Sequence, residues 1–452
     1  MSDRPPQPPS PVSFSEALRW WLKLGCISFG GPAGQIAIMH QELVERRRWI
    51  SERRFLHALN YCMVLPGPEA QQLATYIGWL MHGTKGGIAA GALFVLPSLF
   101  LLIALSWIYT ALGSQPLVAG VLYGIKPAVT AIVLAAAWRI GSRALKSPPL
   151  WAIAAAAFVA IFAFSLPFPA IVLAAGVLGY IGGQIAPQQF VTGGGHGVAN
   201  TDYGPALIGD DTPSPPHAQV SRGRLIRIAA IGIGIWAAAT GLLIAAFGWH
   251  GLLTQMGWFF TKAALLTFGG AYAVLPYVYQ AAVEKHQWLS ATQMIDGLAL
   301  GETTPGPLIM VVAFVGFVGG WTDTARLAAG ALVSGPGIGL MAIAGACVAT
   351  FFTFLPSFVF ILAGAPLVEA THGDLKFTAP LTGITAAVVG VIVNLALFFA
   401  WHVLWPTGFS GRFEWPAALI ALAAFALLTR YKVAVVPVIA ASAIAGLGFA
   451  RY

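Results

Sequence analysis

Two kinds of residue in this sequence could do chemistry: ionisable side chains set within apolar runs, and Gly/Pro clusters that break those runs. Gly30-Gly31-Pro32 and Pro66-Gly67-Pro68 interrupt the stretches Leu18–Gln41 and Phe55–His82, and Gly269-Gly270 and Pro305-Gly306-Pro307 interrupt two later ones. Proline removes a backbone donor and glycine permits a sharp reversal, so each cluster ends one helix and begins another. A helix that begins at membrane depth offers unpaired N–H groups and a positive dipole end, a ready anion site. Lys23 and Lys262 each stand seven residues before the first glycine of a cluster. At ~1.5 Å per residue they lie ~10 Å from the break, within reach of an anion and equally able to snorkel to the interface. Lys126, beside Pro127, is a further cation inside an apolar run. Ser28, Gln71, Gln72, Thr75, Thr267, Thr303 and Thr304 are neutral donors for the same cavity. Glu69 follows one break directly, and Glu302 precedes another by three residues. A carboxylate there can cap a helix. Beside a bound anion it must instead be protonated or displaced, which couples anion movement to proton movement.

The elements that position these residues come as two copies. Lys23–Gly31 matches Lys262–Gly270 at an offset of 239, and the same offset aligns Trp49 with Trp288 and Pro66–Pro68 with Pro305–Pro307. Leu96–Ser98 matches Leu355–Ser357 at an offset of 259, as do Gly124-Ile125 with Gly383-Ile384 and Ala128-Val129 with Ala387-Val388. One insertion of 20 residues near Gly319–Gly339 reconciles the two offsets. Breaks at equivalent places in both copies favour a site at the repeat interface over packing kinks.

Composition fixes the medium. Of 452 residues 58% are hydrophobic and 9% charged, with a mean hydropathy of +0.78; soluble domains carry about 25% charged residues. The chain reads as an all-α polytopic membrane protein. Its net charge of +8 lies mostly in short segments beside apolar runs, which is topology information rather than a nucleic-acid footprint. Glu45–Arg54 holds five arginines, and its counterpart around Glu284–Trp288 has lost most of that charge. Cytoplasmic loops collect Lys and Arg, so the two copies have opposite orientation. The expected organisation is a disordered N-terminus (1–13), a first membrane repeat (14–185), a flexible linker (186–224), an adaptor helix (225–247) and a second, inverted repeat (248–452). Treating each broken element as a re-entrant hairpin keeps the basic residues on one side and gives nine full crossings plus four hairpins, about thirteen membrane elements. His196 and His217 read as linker composition rather than metal ligands. Cys26, Cys62 and Cys347 form no CxxC pair and read as small buried apolar residues.

Ser28-Phe-Gly-Gly-Pro32, Glu42-Leu-Val-Glu-Arg-Arg-Arg-Trp49 and Leu65-Pro-Gly-Pro68 together resemble the chromate ion transporter family in its long two-domain form. Thr267-Phe-Gly-Gly270 with Pro305-Gly-Pro307 is similar to that family's other domain, with Gly269-Gly270-Ala271 where the first copy has Gly30-Gly31-Pro32. The resemblance implies export of chromate from the cytoplasm, driven by the membrane potential or a proton gradient, and chromate resistance. Sulfate or another tetrahedral oxyanion is the alternative substrate. The partners implied are the oxyanion, protons and the lipid of an inner membrane, with a homodimer allowed. An embedded enzyme is disfavoured, because the sequence carries no nucleotide-binding fingerprint, haem-attachment motif or metal-ligand cluster, and no cofactor is expected.

Overall fold

A computed structural model describes residues 9–29, 31–113, 115–190, 203–210, 212–213, 215–219, 221–268, 270–330, 336–370 and 378–449. The first half opens with α1 (Phe14–Ile27) and α2 (Gly31–His40), the latter running into a π-helical turn, Gln41–Arg46. Next come α3 (Glu52–Val64) and α4 (Glu69–Leu112). His82 and Gly83 leave the helical region of backbone space, so α4 is two helices, an arm over 69–81 and a long helix over 84–112. α5 (Pro116–Ala144), α6 (Pro148–Phe164) and α7 (Phe168–Ile185) complete this half, and α8 (Arg222–Phe247) leads to the second.

The second half repeats the first element by element. α9 (Leu252–Leu265), α10 (Ala271–Tyr279) with its π turn Gln280–Lys285, and α11 (Ala291–Thr303) follow at the offset of 239. A short 3-10 turn, Leu308–Met310, then leads into α12 (Val311–Gly330). α13 (Pro336–Ala370), α14 (Thr378–Leu404), α15 (Trp415–Thr429) and α16 (Val435–Phe449) close the chain. Equivalence extends to backbone detail: Arg48 and Gln287, one offset apart, both adopt positive φ, 53° and 51°. Seven helices are long and apolar enough to span a membrane, and three shorter apolar ones accompany them. The chain is thus all-α and polytopic, as its composition implies.

Each broken element folds back on itself. Arg47, after the second arm, pairs with Glu16 near the start of the first (3.5 Å) and lies over the Trp20 ring. The second hairpin behaves likewise, with Arg54 near the start of α3 and Tyr76 near the end of the returning arm sharing Glu369. In the second half His286 and Trp288 stack together and rest against Phe259, the counterpart of Trp20. A Cβ on Gly297 would meet Phe314, and one on Gly301 would meet Val311, which sets α11 antiparallel to α12. Four elements that return on themselves result among the described residues.

The halves are inverted. A Cβ on Gly87 would meet Leu362, one on Gly91 Phe358, and one on Gly339 Trp107; the long helix over 84–112 therefore runs antiparallel to α13. Because these two helices are repeat equivalents, antiparallel packing relates the halves by a two-fold axis across the bundle. The halves also exchange partners. α5 packs on α15 and α16, while α14 packs on α6 and α7. Gly124 approaches the backbone of Ser442 and Gly446, and its equivalent Gly383 approaches Ala175 and Gly179. Small residues at these crossings let backbones meet where lipid supplies no hydrophobic drive.

Two expectations need correction. The segment 186–224 is not solvated throughout. Ile208 bridges to the backbone of Ile50, Leu207 donates to the Arg48 carbonyl, and His217 contacts the Trp79 carbonyl, with Ile208 and Ala218 buried. Unpaired carbonyls left by the positive φ of Arg48 and apolar surface at the base of the first hairpins give it a place to dock. Residues 191–202, including His196, lie outside the described part. Cys62 is buried, but Cys26 and Cys347 are exposed on helix faces, which an apolar solvent permits.

A stitched junction of half-helices and two charged rungs

The hairpin tips of opposite halves meet and bond to each other. The Gly67 amide donates to the Thr267 carbonyl (2.8 Å), and the Gly306 amide donates to the Ser28 carbonyl (2.8 Å). These two bonds are one bond seen twice, since Ser28 and Thr267, and Gly67 and Gly306, are repeat equivalents. Gly67 and Gly306 reach these positions at φ 130° and 104°, a conformation that strains any other residue. Pro66, Pro68, Pro305 and Pro307 flank them and keep the tips from continuing as helix. Gln35 adds a further bond, donating to the Gly306 carbonyl at 2.6 Å.

Four half-helices begin at this junction, at Gly31, Glu69, Ala271 and Leu308. Four others end there, and their carbonyl ends would repel an anion. Stitching occupies two of those carbonyls, Ser28 and Thr267, while the amide ends present the positive end of the helix dipole. Gly270 stands against Glu69, with 3.8 Å between its would-be Cβ and a carboxylate oxygen. Gln71 donates to Thr75 and accepts from Ser357 of the other half (2.7 Å), and Gln72 donates to the Pro66 carbonyl. The other amide oxygens of Gln35 and Gln72 and the Ser98 hydroxyl are buried without a partner.

Several sequence-selected donors are spent elsewhere. The hydroxyls of Ser28, Thr267, Thr303 and Thr304 all donate to carbonyls of their own helices three or four residues back. Lys23 leans over Trp20 (6.0 Å) and Lys262 over Trp258 (5.7 Å). Helical side chains point towards the N-terminus, so both lysines project away from the tips, as snorkelling requires. Gly30 and Gly269 lie outside the described residues.

Two further clusters centre on buried carboxylates of α11. Lys126 pairs with Asp296 (3.6 Å), whose same oxygen accepts from the Tyr109 hydroxyl (2.9 Å). Glu302, at the end of α11, accepts from Tyr272 of α10 (2.5 Å). Asp296 and Glu302 are buried, while Arg139 is exposed. Asp296, Arg139, Tyr109 and Tyr272 were not among the residues selected from sequence. An ionisable group amid apolar neighbours was the available signal.

The chromate transporter family pattern matches residues 15–180 and 254–447, which is both halves without the linker and α8. The chromate transport protein of Cupriavidus metallidurans is 29% identical over 460 residues, covering 99% of this chain and 98% of that one. A chromate transport protein of Pseudomonas aeruginosa is 33% identical, covering 97% and 93%. A probable chromate transport protein of Synechococcus elongatus is 28% identical, covering 84% and 83%. No solved structure shows a significant match. Matched in both halves and along nearly its whole length, this chain belongs to the chromate transporter family.

Proposed function

We propose that this protein exports the chromate dianion from the cytoplasm across the inner membrane as a secondary transporter driven by the proton gradient or the membrane potential, and so confers chromate resistance. The observation that carries the reading is the stitched junction, where half-helix amide ends of both repeats converge at one place between inverted halves. Such a site is reached from either side by relative movement of the halves. The relatives' names supply chromate; sulfate shares its shape and charge.

Glu69 supplies the coupling in this reading. At an effective dielectric of 20, like charges 4 Å apart repel by about 4 kcal/mol. A dianion arriving beside Glu69 therefore draws a proton onto the carboxyl or leaves when the proton does. The test is uptake of labelled chromate into everted vesicles, with and without a proton gradient and with sulfate as competitor. Wild-type vesicles should accumulate chromate. Glu69→Gln should bind it and lose the response to the gradient, whereas Glu69→Asp should keep part of that response. Full gradient-driven transport by Glu69→Gln would reduce Glu69 to a helix cap and pass the role to Glu302.

A further inference from the structure

On the arginine-rich side of the bundle one guanidinium holds three elements together. Arg54, at the start of α3, pairs with Glu369 near the end of α13 (3.5 Å), and its other amino group donates to the Thr212 carbonyl of the docked linker. Tyr76, on the returning arm, donates to the second carboxylate oxygen of Glu369. The two charged side chains are only 11% and 5% exposed. Beside them Tyr61 of α3 approaches Gly364 of α13, with 2.8 Å between its hydroxyl and the would-be Cβ. Ile208 and Ala218 of the linker share one buried cluster with Ile361, Leu362 and Ala365 of α13. His217 of the linker contacts the Trp79 carbonyl at the end of the arm (2.9 Å). The first half, the second half and the linker therefore meet at one buried ion pair.

We infer that the Arg54–Glu369 pair, with Tyr76 and the docked linker, is a latch that holds the halves together on the cytoplasmic side and parts each time that side opens; this rests on the transport reading above. A buried ion pair adds little net stability, because the desolvation of both charges offsets their attraction. As permanent glue between two helices it is a poor choice. For a joint that opens and closes it is a good one, since both charges recover their hydration when parted into water. The opposite end of the bundle is built differently. Gln293, Val315 and Thr110 stand at the positions equivalent to Arg54, Tyr76 and Glu369. A cavity of about 350 Å³ lies beside the second-half hairpin base, lined by His286, Gln287, Trp288, Thr322 and Asp323 among others. Weakening the latch therefore biases the molecule in one direction, towards the state open to the cytoplasm.

The test uses full-length protein in everted membrane vesicles, on a background lacking Cys26, Cys62 and Cys347. Thr75→Cys is the reporter: Thr75 is buried, and its partner Gln71 bonds to Ser357 of the other half. The double variant Arg54→Gln/Glu369→Gln leaves neither charge unpaired. In it an impermeant maleimide added at the cytoplasmic face should label the reporter about tenfold faster than with the pair intact. A larger open fraction also lowers the apparent KM for cytoplasmic chromate, by up to about tenfold, while kcat falls. The swapped pair Arg54→Glu/Glu369→Arg should restore slow labelling. Tyr76→Phe keeps both charges and should give an intermediate rate, which guards against misfolding of the double variant. Unchanged labelling and KM in the double variant and in Tyr76→Phe would make the pair a fixed structural contact and overturn the proposal, as would faster labelling from the opposite face alone. Wild-type vesicles that move neither chromate nor sulfate would end the transport reading instead, and the labelling would still decide whether the pair closes that side.

Discussion

Gly67 and Gly31 share a residue type and a positive φ, yet their surroundings differ. A Cβ on Gly67 would lie 2.7 Å from the Gln72 amide nitrogen and 2.9 Å from the Ser357 hydroxyl, whereas nothing lies within 4 Å of one on Gly31. Both carry positive φ, which costs an L-residue roughly 1–2 kcal/mol. Gly31→Ala should therefore lower the melting temperature slightly and keep transport. Gly67→Ala adds a clash and displaces the amide bonded to Thr267, and should cost roughly a further 1–3 kcal/mol together with transport. Thermal unfolding in detergent and vesicle uptake would check both. Sequence exposed these glycines because breaks in apolar runs are visible in one dimension. It did not show that the hydroxyls of Ser28, Thr267, Thr303 and Thr304 bond to carbonyls three or four residues back, because spacing alone does not say which bond wins. Lys23 was left open between two roles; in the structure it leans over Trp20.

At the scale of elements, charge asymmetry between repeats was enough to read each broken segment as a hairpin. The contacts at the hairpin bases, Arg47 with Glu16 and Trp20 above all, show the same return. Glu45 and Glu284 are equivalent and both exposed. On a background lacking Cys26, Cys62 and Cys347, an impermeant maleimide added to intact cells should label Glu284→Cys and leave Glu45→Cys unlabelled. Labelling of Glu45→Cys alone would reverse the orientation. What sequence did not disclose is the docking of 203–219, whose Gly, Pro and Asp content looks like solvated chain. Those residues bind through backbone bonds to Arg48, Trp49 and Ser51, which no side-chain pattern encodes. The rungs of α5 and α11 were hidden for another reason. Lys126 and Asp296 are 170 residues apart in the chain, and only the inverted packing brings α11 of one half onto α5 of the other.

For the molecule as a whole, repetition announced two inverted halves, but not that they trade partners. α5 finds α15 and α16 across the axis, and α14 finds α6 and α7, so neither half is a closed bundle by itself. The paired tip bonds, Gly67 to Thr267 and Gly306 to Ser28, then acquire a mechanical meaning. They join the two halves at symmetry-equivalent places, and rotation of one half against the other about them would make them a fulcrum. Rocking about it would swing the hairpin bases widely and leave the tips in register. Hydrogen–deuterium exchange over 65–68 and 304–307 should accordingly stay slow with or without chromate, while exchange at the bases, near 45–50 and 284–289, should respond to it. Fast exchange at the tips on adding chromate would mean that the halves part at the centre and that no pivot exists. A pivot of this kind would let each side open only as the other closes, and leakage of small ions would then be prevented by leverage rather than by a separate gate.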